Sequence, residues 1–231
     1  MTDPLPSRLP SGIPRTLEPE SMDSSEEARE YEEMDNRGVN KRFVDDLLAG
    51  GEIGRRVMDL GCGPAAIPIE LCQRVQDLQM IAVDSSVAML EIAKVQIDFA
   101  GLLDRIFLEQ GDVKRIGEFQ ASTADTVISN TLLHHLPDPK AGLDAAIYLC
   151  QDGGRIFIRD LVRPSSESEV EDLVDLHAVG ASDFAKQLLR QSLHAALTFD
   201  EIQEIAGGLG ISADHVQMTS DRHWTIDWTC P

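Results

Sequence analysis

The sequence lacks any long uninterrupted apolar run and any recognisable targeting segment. No stretch approaches the roughly 18 apolar residues of a membrane-spanning helix. Residues 1–20 contain several prolines but no apolar core of the kind that a secretory signal peptide has. These absences predict a soluble, cytoplasmic protein without a membrane partner.

Cysteines are few and widely scattered. The four are Cys62, Cys72, Cys150 and Cys230, and no two of them form a C-x-x-C pair. This spacing argues against a disulfide framework and against a zinc site, and it fits a reducing compartment. The histidines and acids also show no convincing metal-ligand spacing, so the sequence predicts no metal.

Basic residues are outnumbered two to one. Forty Asp and Glu against twenty Lys and Arg leave a formal net charge of −20 at pH 7. Such a charge repels phosphate backbones, and no basic stripe with interleaved aromatics appears. The sequence therefore predicts no nucleic-acid partner, and a well-hydrated surface explains the acidic excess.

The 231 residues, 42% of them hydrophobic, are enough to bury one domain core. Residues 1–22 are rich in Pro and Ser and are predicted to form a disordered or loosely ordered tail. Residues 23–231 are predicted to form a single domain. Its first part, residues 23–51, is expected to contain two cap helices, at about 24–34 and 39–48, separated by a break at Asn36–Gly38.

The most informative stretch runs from Val57 to Ala65. An apolar strand ends at Leu60, two glycines follow at Gly61 and Gly63, and a helix is predicted from about Ala66. A second apolar run ends at Asp84, which lies 84 − 63 = 21 residues beyond the second glycine. This matches the offset of about 20 residues at which a carboxylate binds ribose in βαβ nucleotide sites.

Strands and helices then alternate along the chain. The pattern predicts strands at 57–60, 79–84, 106–110, 124–129 and 155–160, and helices at 66–75, 87–100 and 142–150. Such alternation predicts an α/β fold with a doubly wound, mostly parallel sheet. Two helices at about 166–179 and 182–196 form an insertion, residues 163–197, interpreted as a lid with Gly180 between its halves. A helix at 199–206 and a hairpin at 214–219 and 224–229 follow.

Several ordered motifs resemble the class I, Rossmann-like S-adenosylmethionine-dependent methyltransferases of the small-molecule type. They are Asp59–Gly63, Asp84, Gly111–Val113, the segment from Ile128 to Pro137, and the glycine-led strand 153–158. The resemblance implies a seven-stranded sheet with an antiparallel C-terminal strand, S-adenosyl-L-methionine as donor and S-adenosyl-L-homocysteine as product. The family often has a third glycine where this sequence has Ala65.

The resemblance implies a set of cofactor-binding residues. The backbone at Gly61 and Gly63 is expected to pass close to the cofactor, and Asp84 to accept both ribose hydroxyls. The full set is Tyr31, Asp59, Gly61, Cys62, Gly63, Asp84, Ser85, Asp112, Val113 and Asn130. Tyr31 is equally compatible with core packing, Asp112 with a turn, and Ser85 is favoured as a helix cap.

Three residues are candidates for catalysis. His134 and His135 follow the fourth strand, and a histidine titrates near neutral pH, so either is suited to deprotonate an acceptor. The competing interpretation is a structural turn before Pro137. Asp160, at the end of the fifth strand, is predicted to face the acceptor pocket.

Five further residues are candidates for substrate contact: Arg159, Arg163, His177, His223 and Trp224. The two arginines are suited to bind a substrate carboxylate, although ion pairs with nearby acids explain them equally well. A loop histidine is more often solvated, and an aromatic residue that opens a strand is more often part of the core.

The leading functional prediction is methyl transfer to a small-molecule acceptor by in-line displacement, with proximity and exclusion of water as the main catalytic effects. The alternatives are a nucleotide-binding oxidoreductase on a related sheet and a non-catalytic cofactor-binding or scaffolding protein. The missing third glycine argues against the oxidoreductase. The sequence is compatible with a homodimer and does not identify the acceptor.

Overall fold

The structure, a computed structural model, describes residues 12–18 and 37–231. Its strands are β1 (Arg56–Leu60), β2 (Gln79–Asp84), β3 (Ile106–Gln110), β4 (Ala124–Asn130), β5 (Cys150–Leu161), β6 (Val216–Met218) and β7 (His223–Thr229). Its α-helices are α1 (Arg37–Ala49), α2 (Ala66–Arg74), α3 (Val87–Phe99), α4 (Pro139–Leu149), α5 (Glu167–His177), α6 (Asp183–Ala195) and α7 (Phe199–Gly208). Short 3-10 turns lie at 113–118, 133–135 and 213–215.

The seven strands form one sheet in the order β3-β2-β1-β4-β5-β7-β6. Strands β1 to β5 pair in parallel, while β7 pairs antiparallel with both β5 and β6. The predicted doubly wound, mostly parallel seven-stranded sheet with an antiparallel C-terminal strand is therefore confirmed. The strand order reverses between β1 and β4, and open α/β sheets bind ligands at such a switch point.

Two apolar cores cover the two faces of the sheet. One contains Phe43 and Leu47 of α1 together with α2, α3 and the facing side chains of β1 and β2. The other contains Leu143 and Leu149 of α4, helix α7 and the buried Trp224. Because the central strands are buried on both sides, they are continuous apolar runs rather than alternating ones.

Side chains at the helix starts explain several helix boundaries. Asp138 caps α4, with Pro139 in its first turn, so this helix begins before the predicted start at Gly142. Ser86, not Ser85, caps α3 by accepting a hydrogen bond from the Met89 amide at 3.2 Å. Thr198 and Glu201 form a capping box at α7.

The N-terminal region differs from the prediction where the structure describes it. Gly38, predicted to lie in a break, is inside α1, because Phe43, Val44 and Leu47 of this helix are buried and packing outweighs the low helix propensity of glycine. The predicted helix at 24–34, which contains Tyr31, lies outside the described residues. Residues 12–18, part of the predicted tail, pack against the domain.

The insertion at 163–197 is built from α5 and α6. These helices share a small apolar core that includes Leu161, Val170 and Leu193, and Ile13 of the N-terminal segment packs against it. Gly180 lies between them with φ +73°, as the predicted break requires. Movement of this insertion as a lid stays a prediction.

Candidate active site

A large cavity lies at the carboxyl ends of the parallel strands. It has a volume of about 760 Å³, which falls in the range of roughly 300–1,000 Å³ typical of small-molecule sites. The segments that follow β1, β2, β3 and β4 each contribute to its wall, and α1 contributes Arg37 and Asn40. A smaller cavity of about 370 Å³ lies over the amino-terminal halves of β1 and β2, away from these strand ends.

The glycine loop after β1 forms one wall of the large cavity. Gly61 and Gly63 have φ values of +73° and +52°, which disfavour a side chain. The Gly61 and Cys62 amides both donate to the carbonyl of Val83, at 2.9 and 3.0 Å, so the loop is tied to β2. Ala65 also has positive φ, +63°, and is fully buried. An alanine therefore holds the left-handed conformation that the family's third glycine would adopt without strain.

Asp84 connects the ends of β1 and β2. Its Oδ2 accepts a hydrogen bond from the Gly63 amide at 2.8 Å, and its Oδ1 accepts one from the Ser86 amide at 2.9 Å. Burial raises the pKa of Asp84, although these backbone donors partly oppose the effect. The carboxylate is thus fixed in position on the cavity wall, where a ligand with hydroxyl groups would meet it.

Asp59 lies beneath the same loop. It is 2% exposed, yet it still forms part of the cavity wall. Burial, together with the neighbouring charge of Asp84, raises the pKa of Asp59 to about 8. The two carboxyl groups make the cavity floor a favourable environment for a cationic ligand.

Nine of the ten predicted cofactor-binding residues line this one cavity, and Tyr31 lies outside the described residues. The nine are Asp59, Gly61, Cys62, Gly63, Asp84, Ser85, Asp112, Val113 and Asn130. The buried Oδ1 of Asn130 has no hydrogen-bond partner within residues 12–18 and 37–231, so it is available to a ligand. Cofactor binding by these residues stays a prediction.

His134, His135 and Asp160 lie together beyond the end of β4. His134 Nδ1 is 2.5 Å from Asp160 Oδ1, and the other carboxylate oxygen accepts from the His134 amide. Burial lowers the pKa of His134, but the charge and hydrogen bond of Asp160, together with the charge of Glu18, outweigh burial and the pKa is raised. Burial likewise raises the pKa of Asp160, and His134 reverses that effect, so its pKa is lowered. Only His135 of the three reaches the cavity wall.

The two arginines predicted to contact substrate both have partners within the protein. Arg159 donates to Thr225 Oγ1 and to Asp46, which joins β5 to β7 and α1. Arg163 donates to the Ala196 carbonyl and to Glu201, which closes the base of the insertion. Both side chains are buried, and neither lies on the wall of the large cavity.

The remaining three predicted substrate residues are also away from that cavity. His177 Nε2 pairs with Asp221 at 2.6 Å on the surface. The His223 imidazole forms a hydrogen bond with Ser220 Oγ. Burial and the charge of Arg222 lower the pKa of His223 to about 3, so this histidine is neutral at physiological pH. Trp224 is fully buried in the core, because β7 is an interior strand of the sheet.

The sequence reasoning missed several residues of the cavity wall. Arg37 and Asn40 extend from α1, Met89 from α3, and Leu132 and Leu136 from the segment after β4. Their positions depend on how helices dock on the sheet, which no local pattern reveals. Glu18 was also missed, although its Oε2 lies 2.7 Å from His135 Nδ1.

Comparison with known proteins agrees with this geometry. Residues 57–154, which run from β1 into β5 and include the glycine loop, match the family described as "Methyltransferase domain". The matched segment contains the glycine loop, Asp84 and the other strand ends that border the cavity, and the sheet order is that of the Rossmann-like methyltransferase fold.

Particular relatives and solved structures are similar to this chain. The ubiquinone biosynthesis O-methyltransferase of Acinetobacter baylyi is 26% identical over 162 residues, which cover 70% of this chain and 63% of that protein. The match thus spans less than two thirds of the relative's length. A putative S-adenosyl-L-methionine-dependent methyltransferase from Methanococcus maripaludis superposes with a TM-score of 0.70 at 20% identity, covering 94% of this chain and 98% of that chain. The magnesium protoporphyrin IX methyltransferase of Synechocystis, solved with bound S-adenosylmethionine, superposes with a TM-score of 0.59 at 19% identity. The superposition covers 85% of this chain and 80% of that chain.

Proposed function

We propose that the protein is an S-adenosylmethionine-dependent methyltransferase that acts on a small-molecule acceptor. The observation that carries the proposal is the convergence of the glycine loop, Asp84, Asp112 and Asn130 on one cavity at the strand ends. Asp84 is positioned to accept hydrogen bonds from ribose hydroxyls, and the segment 111–113 to contact an adenine ring. The carboxyl groups of Asp59 and Asp84 favour the cationic donor over its neutral analogues.

The acceptor would occupy the part of the cavity beyond the sulfonium, next to His135, Leu136 and Pro137. Methyl transfer needs no strong electrophile to be created by the protein, because the sulfonium already carries positive charge. The main contribution of the site is therefore to align donor and acceptor and to exclude water, effects that contribute about 7–11 kcal/mol in favourable cases. His135 is the candidate for removing a proton from a hydroxyl acceptor.

Neither alternative function has a specific observation in its favour. The missing third glycine does not in fact argue against a dinucleotide-dependent oxidoreductase, because the G-x-G-x-x-G/A fingerprint accepts alanine at its last position, which is Ala66 here. The match to a methyltransferase domain is what favours the proposal. A non-catalytic binding protein would share the cofactor cavity, and only turnover separates it from an enzyme. Cytoplasmic location and a homodimer stay predictions. Among residues 12–18 and 37–231, no helix combines the length and apolarity that a bilayer crossing requires.

Calorimetry with S-adenosylmethionine, S-adenosylhomocysteine and NAD, followed by a transfer assay with labelled methyl donor, tests the proposal. We expect both sulfur ligands to bind and NAD not to bind. Label should pass to compounds in a metabolite extract, with hydroxyl acceptors assayed first because the relatives are named O-methyltransferases. Binding of NAD alone would refute the proposal, and tight donor binding without transfer to any acceptor would favour the non-catalytic alternative.

A further inference from the structure

Three side chains of the types that bind metal ions come from distant parts of the sequence and lie together next to the large cavity. Glu18 comes from the N-terminal segment, and His134 and His135 come from the turn after β4. One ligand atom of each lies within 4.8 Å of the others. His134 Nε2 is 3.9 Å from Glu18 Oε1, and His135 Nδ1 is 2.7 Å from Glu18 Oε2.

His134 is held as metal-binding histidines usually are. Its Nδ1 pairs with Asp160 at 2.5 Å, and Asp160 is itself fixed by hydrogen bonds from the His134 and Leu161 amides. A carboxylate on one ring nitrogen orients the imidazole and increases the basicity of the other nitrogen. In this protein that other nitrogen, Nε2, is directed towards Glu18.

Glu18 contributes a buried oxygen without a partner. Its Oε1 has no hydrogen bond to any residue that the structure describes. A buried acceptor left unsatisfied destabilises the fold, and more so when the group is charged. A cation placed between Glu18 and the two imidazoles would remove this destabilisation.

The segment that carries Glu18 is positioned by contacts of its own. Arg15 donates to the carbonyls of Ala195, His134 and Leu136, at 2.7, 3.1 and 2.9 Å. The Thr16 amide donates to the His194 carbonyl at 3.0 Å. Glu18 is therefore brought to the histidine pair before any ion binds, which reduces the entropy lost on binding.

We infer that Glu18, His134 and His135 bind a divalent transition-metal ion of the zinc type, with Asp160 as the residue that orients His134. Two imidazoles and one carboxylate are a ligand set that Zn²⁺ accepts, whereas Mg²⁺ prefers oxygen ligands alone. At Zn–N distances of about 2.0–2.1 Å, tetrahedral ligand atoms are about 3.3 Å apart. One ligand atom of each side chain lies within 4.8 Å of the others, so these atoms need to move to separations of about 3.3 Å when the ion binds.

This inference departs from the sequence prediction of no metal, because Glu18 is brought near the histidines only by the fold. An ion on His135 Nδ1 would prevent this imidazole from acting as the base proposed above, and the titration below measures metal binding without methyl transfer. An ion bound there would fasten residues 12–18 to the cavity rim, since His135 belongs to both the ligand set and the cavity wall.

The test is a titration of the full chain, without a polyhistidine tag and stripped of metals, with Zn²⁺ against a chromogenic competing chelator. We expect one tight equivalent that a large excess of Mg²⁺ does not displace. Glu18→Gln and His135→Gln should each weaken this site about tenfold or more, as should Asp160→Asn. Glu204→Gln and His215→Gln change an exposed acid and an exposed histidine elsewhere, and they should leave the site unchanged.

A second measurement guards against variants that lose structure. Zn²⁺ should slow hydrogen exchange at the Thr16 amide in the wild type but not in Glu18→Gln, while circular dichroism shows that both remain folded. If the wild type has no site tighter than nonspecific binding, or Glu18→Gln binds Zn²⁺ as tightly as the wild type, the inference is wrong.

Discussion

The carboxylate of Asp84 accepts a hydrogen bond from the backbone amide of Gly63 at 2.8 Å. The acid at the end of β2 thereby fixes the glycine loop at the end of β1. Both groups face the same cavity, so the loop geometry and the ligand-binding geometry depend on one side chain.

Asp84→Ala should therefore impair donor binding more than folding. The loss of a charge-assisted contact to ribose is worth about 1.5–3 kcal/mol, or about 10- to 100-fold in affinity. Calorimetry with S-adenosylhomocysteine measures this loss, and Glu109→Ala, an exposed acid on the neighbouring strand, is the control. Unchanged affinity in Asp84→Ala would refute the assigned role of the carboxylate.

The two loop glycines should respond differently to alanine. A Cβ at Gly61 would lie 2.9 Å from Leu132 Cδ1, whereas a Cβ at Gly63 meets nothing within 4 Å. At both positions, an alanine in the left-handed conformation would also lower stability by about 1–2 kcal/mol. Gly61→Ala should lower the melting temperature more than Gly63→Ala, while Gly63→Ala should fold and yet bind the donor more weakly. Equal melting temperatures together with full donor affinity would contradict this prediction.

Asp59 should make both stability and donor binding depend on pH. Its pKa in the folded state is about 8, compared with about 3.9 when unfolded. The folded state therefore holds a proton that the unfolded state has lost, so this group reduces stability as pH rises from about 4 to 8. Asp59→Asn should raise the melting temperature more at pH 8 than at pH 4.

Binding of the cationic donor should tighten as pH rises through this same range, because ionised Asp59 attracts the sulfonium. Calorimetry in buffers of different ionisation enthalpy should show proton release by the wild type that Asp59→Asn reduces. No difference in proton release between the two proteins would be evidence against this coupling.

The pair His134–Asp160 should stabilise the fold within a limited pH window. The pKa of His134 is raised in the folded state. Its contribution to stability is therefore complete below the pKa of the unfolded state, and it is lost as the pH rises through the pKa of the folded state. The pKa of Asp160 is lowered, so its contribution is lost as pH falls through the folded value. Asp160→Asn should cost about 3–5 kcal/mol inside this window, as chemical denaturation would measure, and less at high pH.

Arg159→Met should affect stability rather than substrate affinity. Its guanidinium donates hydrogen bonds to Thr225 and Asp46 and lies 5.6 Å from the Phe43 ring centroid, so the variant loses two hydrogen bonds, an ion pair and a cation–π contact. We expect a lower melting temperature and an unchanged KM for the acceptor once one is known. A raised KM with normal stability would restore the sequence-based prediction of substrate contact.

The sheet and the cavity wall formed by the strand ends were predictable from sequence because their signals are local. Gly61, Gly63 and Asp84 occur at strand ends that apolar runs mark clearly, and parallel strands bring those ends to one edge. The surroundings of the residues predicted to contact the acceptor were not predictable from such local signals. Arg159 and Arg163 have the chemistry of substrate ligands, and only the docking of α1, β7 and α7 reveals their structural partners.

Long-range pairing also accounts for the other differences. The sequence pattern places Trp224 at the edge of a turn, but this residue is buried because β7 lies between β5 and β6 in the sheet. Glu18 has no sequence neighbour that would mark it as functional. Its position depends on hydrogen bonds of Arg15 to carbonyls far along the chain.

The insertion of β7 between β5 and β6 also constrains the order of events during synthesis. Strand β6 emerges before β7 but has no partner in the sheet until β7 is in place, because it pairs only through that strand. A nascent chain that ends before His223 therefore exposes the edge of β5, and unpaired strand edges promote association between chains. Ribosome-bound intermediates of this length should be the ones that depend most on chaperones.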